Sequence, residues 1–111
     1  MDASYTIPFL REGISLILSQ WQALQMAIKN EWGGMESHQK CEELTSTLLS
    51  YFSQSKAPHH IEDLENILDE NMVLSFNTEA LDGSIEQVAE QLMILYEDCL
   101  HGNYETKLVL I

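Results

Sequence analysis

The side chains in this sequence with the most chemistry to offer are its carboxylates. Between Lys56 and Lys107 there is no Lys or Arg, while Glu62, Asp63, Glu65, Asp69, Glu70, Glu79, Asp82, Glu86, Glu90, Glu97, Asp98 and Glu105 all fall in that interval. Paired carboxylates can serve as general acid and base. Here Glu62/Asp63 and Asp69/Glu70 are adjacent pairs in a charge-rich stretch, which reads more simply as a solvated helix face. His38 and Cys41, three apart, could share a metal, but a structural zinc site needs four ligands and no partner pair is evident. His59 and His60 flank a proline linker and read as solvated residues of a loop or helix start. What remains for the carboxylates is cation binding, with charge-assisted hydrogen bonds to Arg supplying specificity.

Any one of these acids is adequately explained as a solubilising group. The block as a whole is not, because so many like charges without counter-charge repel one another and destabilise the compact state. Glu62, Glu65 and Asp69 lie at helical steps of three and four, on one side of a helix. Glu86, Glu90 and Glu97 share a side of the next. If the two sides adjoin, they form a carboxylate trough suited to a Lys/Arg-rich segment. Glu70 and Asp98 complete the set of candidate contacts.

The composition agrees with this. Eighteen acids face five bases across 111 residues, for a formal net charge of −13 and a pI near 4.3. Such a field repels nucleic acid and anionic membrane and attracts a cationic partner. A hydrophobic fraction of 45% is enough for one core in one domain. Phosphate-binding glycine loops, nucleophile elbows and H-E-x-x-H are missing, so neither an enzyme nor a cofactor is expected. Cys41 and Cys99 stand far apart and read as thiols rather than a disulfide. With no long apolar run and no basic leader at MDASYTIPF, the expectation is a soluble intracellular domain.

The elements that must position the acids are helices. Leu10, Ile14, Ile17, Trp21, Leu24 and Ile28 recur at steps of four and three, predicting one amphipathic helix that starts near Pro8 and stops on Gly33-Gly34. Trp32-Gly33-Gly34 then predicts a tight corner, with Trp32 as a buried anchor over the helix pair. Gly13, inside the helix at a cost of about 1 kcal/mol, suggests close approach by another helix. Ser37 is a fair N-cap for a second helix at 38–54, with Cys41, Leu44, Leu48, Tyr51 and Phe52 inward. The polar stretch 53–58 reads as a linker. A third helix is expected at 60–79, with Ile61, Leu64, Ile67, Leu68, Met72 and Phe76 inward. Asp82-Gly83 is a turn. Ser84 and Gln87 form a capping box for a fourth helix closed by Gly102, whose inner face is Ile85, Val88, Leu92, Leu95, Tyr96 and Cys99. The sum is an all-α fold, a compact bundle of four to five amphipathic helices. Residues 1–7 are expected to be frayed, 8–103 to form the domain, and 104–111 to begin a further helix or a truncated acidic tail.

The segment REGISLILSQWQALQMAIKNEWGG resembles the defining motif of the WGG-domain family of pre-rRNA-processing proteins. Its positions are filled here by Phe9 or Arg11 through Gly13, Ile14 and Leu18. They continue with Trp21, Ala23, Leu24, Ala27, Ile28 and Asn30, then Trp32, Gly33 and Gly34. A looser likeness runs through Tyr51-Phe52, the acidic third helix, the turn at 82–84, Tyr96 and the neighbourhood of Tyr104. The resemblance implies an escort chaperone of the nucleus and cytoplasm. Such a protein binds a basic, zinc-containing small-subunit ribosomal protein (number 26 in the eukaryotic list) and frees it from its import receptor. It then delivers its client to pre-40S particles, in support of 20S pre-rRNA processing to 18S rRNA. Family members carry a long acidic tail after the bundle, which residues 104–111 do not resemble. Two other readings stand beside this one. One is an adaptor binding an amphipathic partner helix through an apolar groove; the other is a self-associating bundle, against which intramolecular packing and a monomer are expected.

Overall fold

A computed structural model describes residues 3–32, 34, 36–53, 59–80 and 82–100. They form five α-helices: α1 (Ala3–Ser19), α2 (Gln22–Lys29), α3 (Ser37–Ser53), α4 (Ile61–Phe76) and α5 (Ser84–Leu100). There is no strand among the described residues. Leu10, Ile14 and Ile17 of α1 meet Leu44 and Leu48 of α3, Leu64, Leu68 and Met72 of α4, and Leu92 and Leu95 of α5 in one fully buried core. Helix α1 packs on α3 and α5, and α4 packs on the same two, so four helices close a ring in the order α1, α3, α4, α5. Arg11 reaches Ser46, Gly13 meets Leu95, and Trp21 reaches Ser84. The pairs Gly13–Leu95 and Trp21–Ser84 run α5 antiparallel to α1. The bundle is up-and-down, as short connections dictate.

The single helix expected from Pro8 to the glycine pair is two helices. The chain leaves α1 through bonds from the Gln20 amide to the Ile17 carbonyl (3.1 Å) and from the Trp21 amide to the Leu18 carbonyl (3.2 Å). Trp21 then adopts φ −81°, ψ 102°, an extended conformation that ends one helix and precedes the other. The Gln25 side chain donates to the Leu18 carbonyl at 2.9 Å and spans the break. Eight residues make a marginal helix alone. Burial of Leu24, Ala27 and Ile28 holds α2 in place, with about 1.5–3 kcal/mol each from the Leu and Ile side chains. Packed on α1, α3 and α4, α2 closes one end of the ring.

Other boundaries also move. Helix α1 begins at Ala3 rather than near Pro8, within the stretch expected to be frayed, and Pro8 lies in its interior without an N–H to offer the Ser4 carbonyl. Helix α3 starts at Ser37 itself, and the Lys40 amide bonds to the Glu36 carbonyl at 3.0 Å, so Glu36 stands where Ser37 was expected. Helix α4 stops three residues early. Asn77 there takes a left-handed φ of 51°, and its amide and that of Thr78 turn back to the Met72 carbonyl.

The corner after α2 is the largest correction. The helix ends before the glycines, with Glu31 in the left-handed region at φ 54°. The Trp32 amide reaches the Ala27 carbonyl (3.0 Å) and the Glu31 amide the Ile28 carbonyl (3.1 Å), which together make a Schellman stop with Glu31 at C′. Trp32 is 45% exposed, so it does not seal the corner; the buried tryptophan is Trp21, at 3%. Gly34 has φ 91°, a conformation suited to glycine. Gly33, the linker 54–58, Gly102 and the stretch 104–111 lie outside the described residues.

Gly13 behaves as its position suggests. A Cβ built there would lie 2.7 Å from both Leu95 methyl carbons, so the missing side chain is what lets α1 and α5 approach.

Candidate functional site

Helices α4 and α5 are joined by residues 77–83 and pack side by side. Each has its other flank occupied. On α4, Ile67 borders the α3 residues Ser46, Thr47, Ser50 and Tyr51, and Asp63 is bonded to the Tyr51 hydroxyl at 2.9 Å. On α5, Ser84 accepts from the Trp21 indole and Leu95 packs under Gly13, so that flank faces α1. The remaining flanks face one another across the α4–α5 seam.

Helical phase then sorts the candidate carboxylates, at about 100° per residue. On α4, Glu62, Glu65 and Asp69 fall on the flank turned away from α3 and toward α5. On α5, Glu86, Glu90 and Glu97 fall on the outer side turned toward α4. Glu62, Asp69, Glu86, Glu90 and Glu97 are exposed, and Glu65 is half-buried. Antiparallel packing sets Glu62 and Glu65 beside the Glu97 end of α5, and Asp69 nearer Glu86 and Glu90. Glu70 points outward from the crown of α4, and half-buried Asp98 lies on the α1 side of α5. Six of the eight candidates therefore rim one seam, and two lie off it.

The scaffold residues divide similarly. Trp21 and Leu24 are core, while Asn30 is exposed at the C-cap of α2, its amide bonded to the Met26 carbonyl at 2.9 Å. Trp21 also carries a polar function. Its Nε1 donates to the Ser84 hydroxyl at 2.8 Å, tying the break between α1 and α2 to the start of α5. Ser84 is further held by Asp82, whose Oδ1 accepts the Ser84 amide at 3.1 Å. Asp82 is thus the cap at this helix start, a role the sequence pattern assigned to Ser84. Hydrogen bonds from Ser84, side chain first and then backbone, hold the Asp82 carboxyl below its ordinary range.

At the opposite end of the bundle is a cluster that sequence reasoning missed. Phe52 stacks on Tyr96 at 4.6 Å, and His59 meets Tyr51, Phe52 and Tyr96 edge-on at 4.7–5.8 Å. His59 is therefore a packed residue and not a solvated one. The Tyr51 hydroxyl accepts the His60 amide at 3.0 Å. Burial first, and then Asp63, push this phenol up from its ordinary pKa. Aromatic residues spaced across three elements leave no periodic signal, which is why the cluster was invisible.

Neither cysteine is a poised nucleophile. Burial raises the Cys41 thiol, with Glu42 adding to it, and burial with Asp98 pushes Cys99 up to about 11. Among the described residues no helix is long and apolar enough to span a membrane. Exposed apolar side chains include Met26, Trp32 and, at 81%, Leu74.

Comparison with known proteins adds family context to this geometry. Residues 10–90 match the sequence profile of the WGG family, described as pre-rRNA-processing protein TSR2. Among curated proteins, the mouse pre-rRNA-processing protein TSR2 homolog is 36% identical over 86 residues, covering 78% of this chain and 44% of that protein. The zebrafish homolog is 32% identical over 100 residues, 90% of this chain and 55% of its own. Pre-rRNA-processing protein TSR2 of Saccharomyces cerevisiae is 30% identical over 92 residues, 83% of this chain and 44% of its own. The chain thus spans about half the length of these relatives. The solution structure of yeast TSR2(1-152) superposes with a TM-score of 0.83 at 27% identity, covering 99% of this chain and 70% of that one.

Proposed function

The chain belongs to the WGG family of pre-rRNA-processing proteins, and from that membership and its acidic seam we propose that it acts in ribosome biogenesis as an escort for a basic protein. The client is a basic, zinc-containing small-subunit ribosomal protein, number 26 in the eukaryotic list. The domain takes it from its import receptor, keeps it soluble and delivers it to pre-40S particles, in support of 20S pre-rRNA processing to 18S rRNA. This work spans nucleus and cytoplasm and needs neither cofactor nor catalysis, because a protein that binds the free client holds it in solution by mass action.

The observation that carries the reading is the placement of Glu62, Glu65, Asp69, Glu86, Glu90 and Glu97 along one seam, with no Lys or Arg between 57 and 106 to neutralise them. A single exposed ion pair contributes only about 0.2–1 kcal/mol. Six carboxylates along one line can engage several basic groups together, and their field speeds encounter with a cationic partner. Calorimetric titration of the domain with the purified ribosomal protein tests this directly. A complex that weakens steeply with salt is expected; no complex even at low salt refutes the reading.

A second reading is favoured by one observation. Met26, Trp32 and Leu74 are exposed apolar side chains of the kind an amphipathic partner helix covers, and in that reading the acids serve solubility alone. Charge reversal along the seam separates the two, since it would leave apolar docking intact.

A further inference from the structure

A cavity of about 290 Å³ opens where α1 breaks, between Gln20, Trp21 and the first turns of α5. Its apolar lining comes from Ile17, Trp21, Ala23 and Val88. Its polar lining comes from Gln20, Gln22, Gln87 and Gln91, with the carboxylate of Asp82 and the hydroxyl of Ser84. Among the described residues no cationic side chain lines it.

This lining selects for one kind of ligand. An anion meets Asp82 and the −13 charge of the chain. A wholly apolar group would strip water from four amides and a carboxylate without replacing those hydrogen bonds. A guanidinium carries five donors in a flat fork and no acceptor, so it matches amide carbonyls and a carboxylate. Its methylene stem can lie on the apolar lining while the charged head meets the polar one. An ammonium brings three donors on a point charge and is more strongly hydrated. Asp82 stays ionised below the ordinary carboxylate range because Ser84 bonds it, so the negative charge is present at neutral pH.

We propose that this cavity receives a single arginine side chain of the basic partner, with Asp82 as its counter-charge and the Gln side chains as further acceptors. The inference rests on the escort reading for the source of the arginine, but its chemistry can be tested without the client. Asp82 is exposed and engages either cation, so the selectivity for arginine over lysine comes from the amide carbonyls around it, which a planar fork of five donors can reach together.

The test uses the indole N–H of Trp21, which is bonded to Ser84 at the cavity wall and gives its own nitrogen–proton resonance. The 15N-labelled domain is titrated with N-acetyl-arginine amide and, separately, with N-acetyl-lysine amide at equal ionic strength. The expected result is a saturable shift of the Trp21 indole and of the Gln87 and Gln91 side-chain amides with the arginine compound. The lysine compound should bind more weakly by about twofold to tenfold, the worth of about one hydrogen bond. Asp82→Asn keeps an oxygen that can accept the Ser84 amide, so it removes the charge while sparing the cap, and should weaken arginine binding by a similar factor. A Gln91→Lys variant, placing a cation at an exposed part of the lining, should abolish the shift. Absent shifts, equal affinity for both compounds, or unchanged affinity in Asp82→Asn would each overturn the proposal. A complex with the ribosomal protein that leaves the Trp21 indole unshifted overturns the pocket but spares the escort reading. Arginine-selective shifts without any such complex support the pocket and remove the escort.

Discussion

The two ends of this sequence solve opposite problems. The α1–α2 half contains the most distinctive residues, yet most of them face inward: Ile14, Ile17, Trp21, Leu24 and Ala27 are buried. The α4–α5 half is unremarkable in motif but places its carboxylates outward along a seam between two packed helices. The first half can be recognised from its sequence because packing demands particular shapes. The second can vary residue by residue, because a field depends on the number and placement of charges more than on any one of them. Distinctiveness of sequence here marks the scaffold, and our proposal puts the binding chemistry on the plainer surface it supports.

That contrast can be broken first at the tryptophans. Trp21→Ala removes a buried ring and an indole hydrogen bond and should cost about 3–5 kcal/mol in denaturant unfolding. Trp32→Ala, at a half-exposed position, should cost about 1 kcal/mol or less. Equal costs would mean that both tryptophans are structural and that the corner is sealed after all.

The helical periodicity of the core was legible from residue types alone. Every apolar position from Leu10 to Ile28 on the predicted face is buried, and so are the main inward residues of α4 and α5. The break at Gln20-Trp21 was not legible, because no glycine or proline marks it and the spacing of four and three continues across it. The sequence misplaces Trp32 because a Gly-Gly pair reads as the helix stop, whereas Glu31 turns the chain left-handed two residues earlier. Of the acidic site, the helix faces could be read from spacing. That the two faces adjoin could not, since it depends on α3 and α1 occupying the opposite flanks.

A smaller effect sharpens the comparison at the α1–α5 contact. Gly13→Val would press side-chain carbons against Leu95 and should destabilise by about 1–3 kcal/mol, partly relieved by Leu95→Ala in the same chain. At the corner, Glu31→Gly relieves a left-handed non-glycine residue and should stabilise by roughly 1 kcal/mol in the same unfolding assay. No gain would mean that Glu31 makes a compensating contact in its strained conformation.

The smallest effect concerns acid. The carboxyl of Asp82 is depressed in the folded chain, so its contribution is present above the unfolded value of about 3.9. It is lost as pH falls through the lower folded value. Asp82→Asn should therefore lower stability slightly and by a constant amount from neutral pH down to about 4, and the difference from the native chain should close as pH falls further. A difference that persists undiminished in acid would mean that the Asp82 charge is not what Ser84 stabilises.

The account stands or falls on the seam. Changing Glu62, Glu65, Asp69, Glu86 and Glu90 together to Lys alters only exposed or half-buried positions, so the helical circular dichroism and cooperative unfolding should be retained. Calorimetric titration of that variant with the basic ribosomal protein is the decisive measurement. The predicted result is a loss of affinity of about a hundredfold or more, from several ion pairs lost and replaced by repulsion. Wild-type affinity in a folded variant would contradict the account and move the binding surface off α4 and α5.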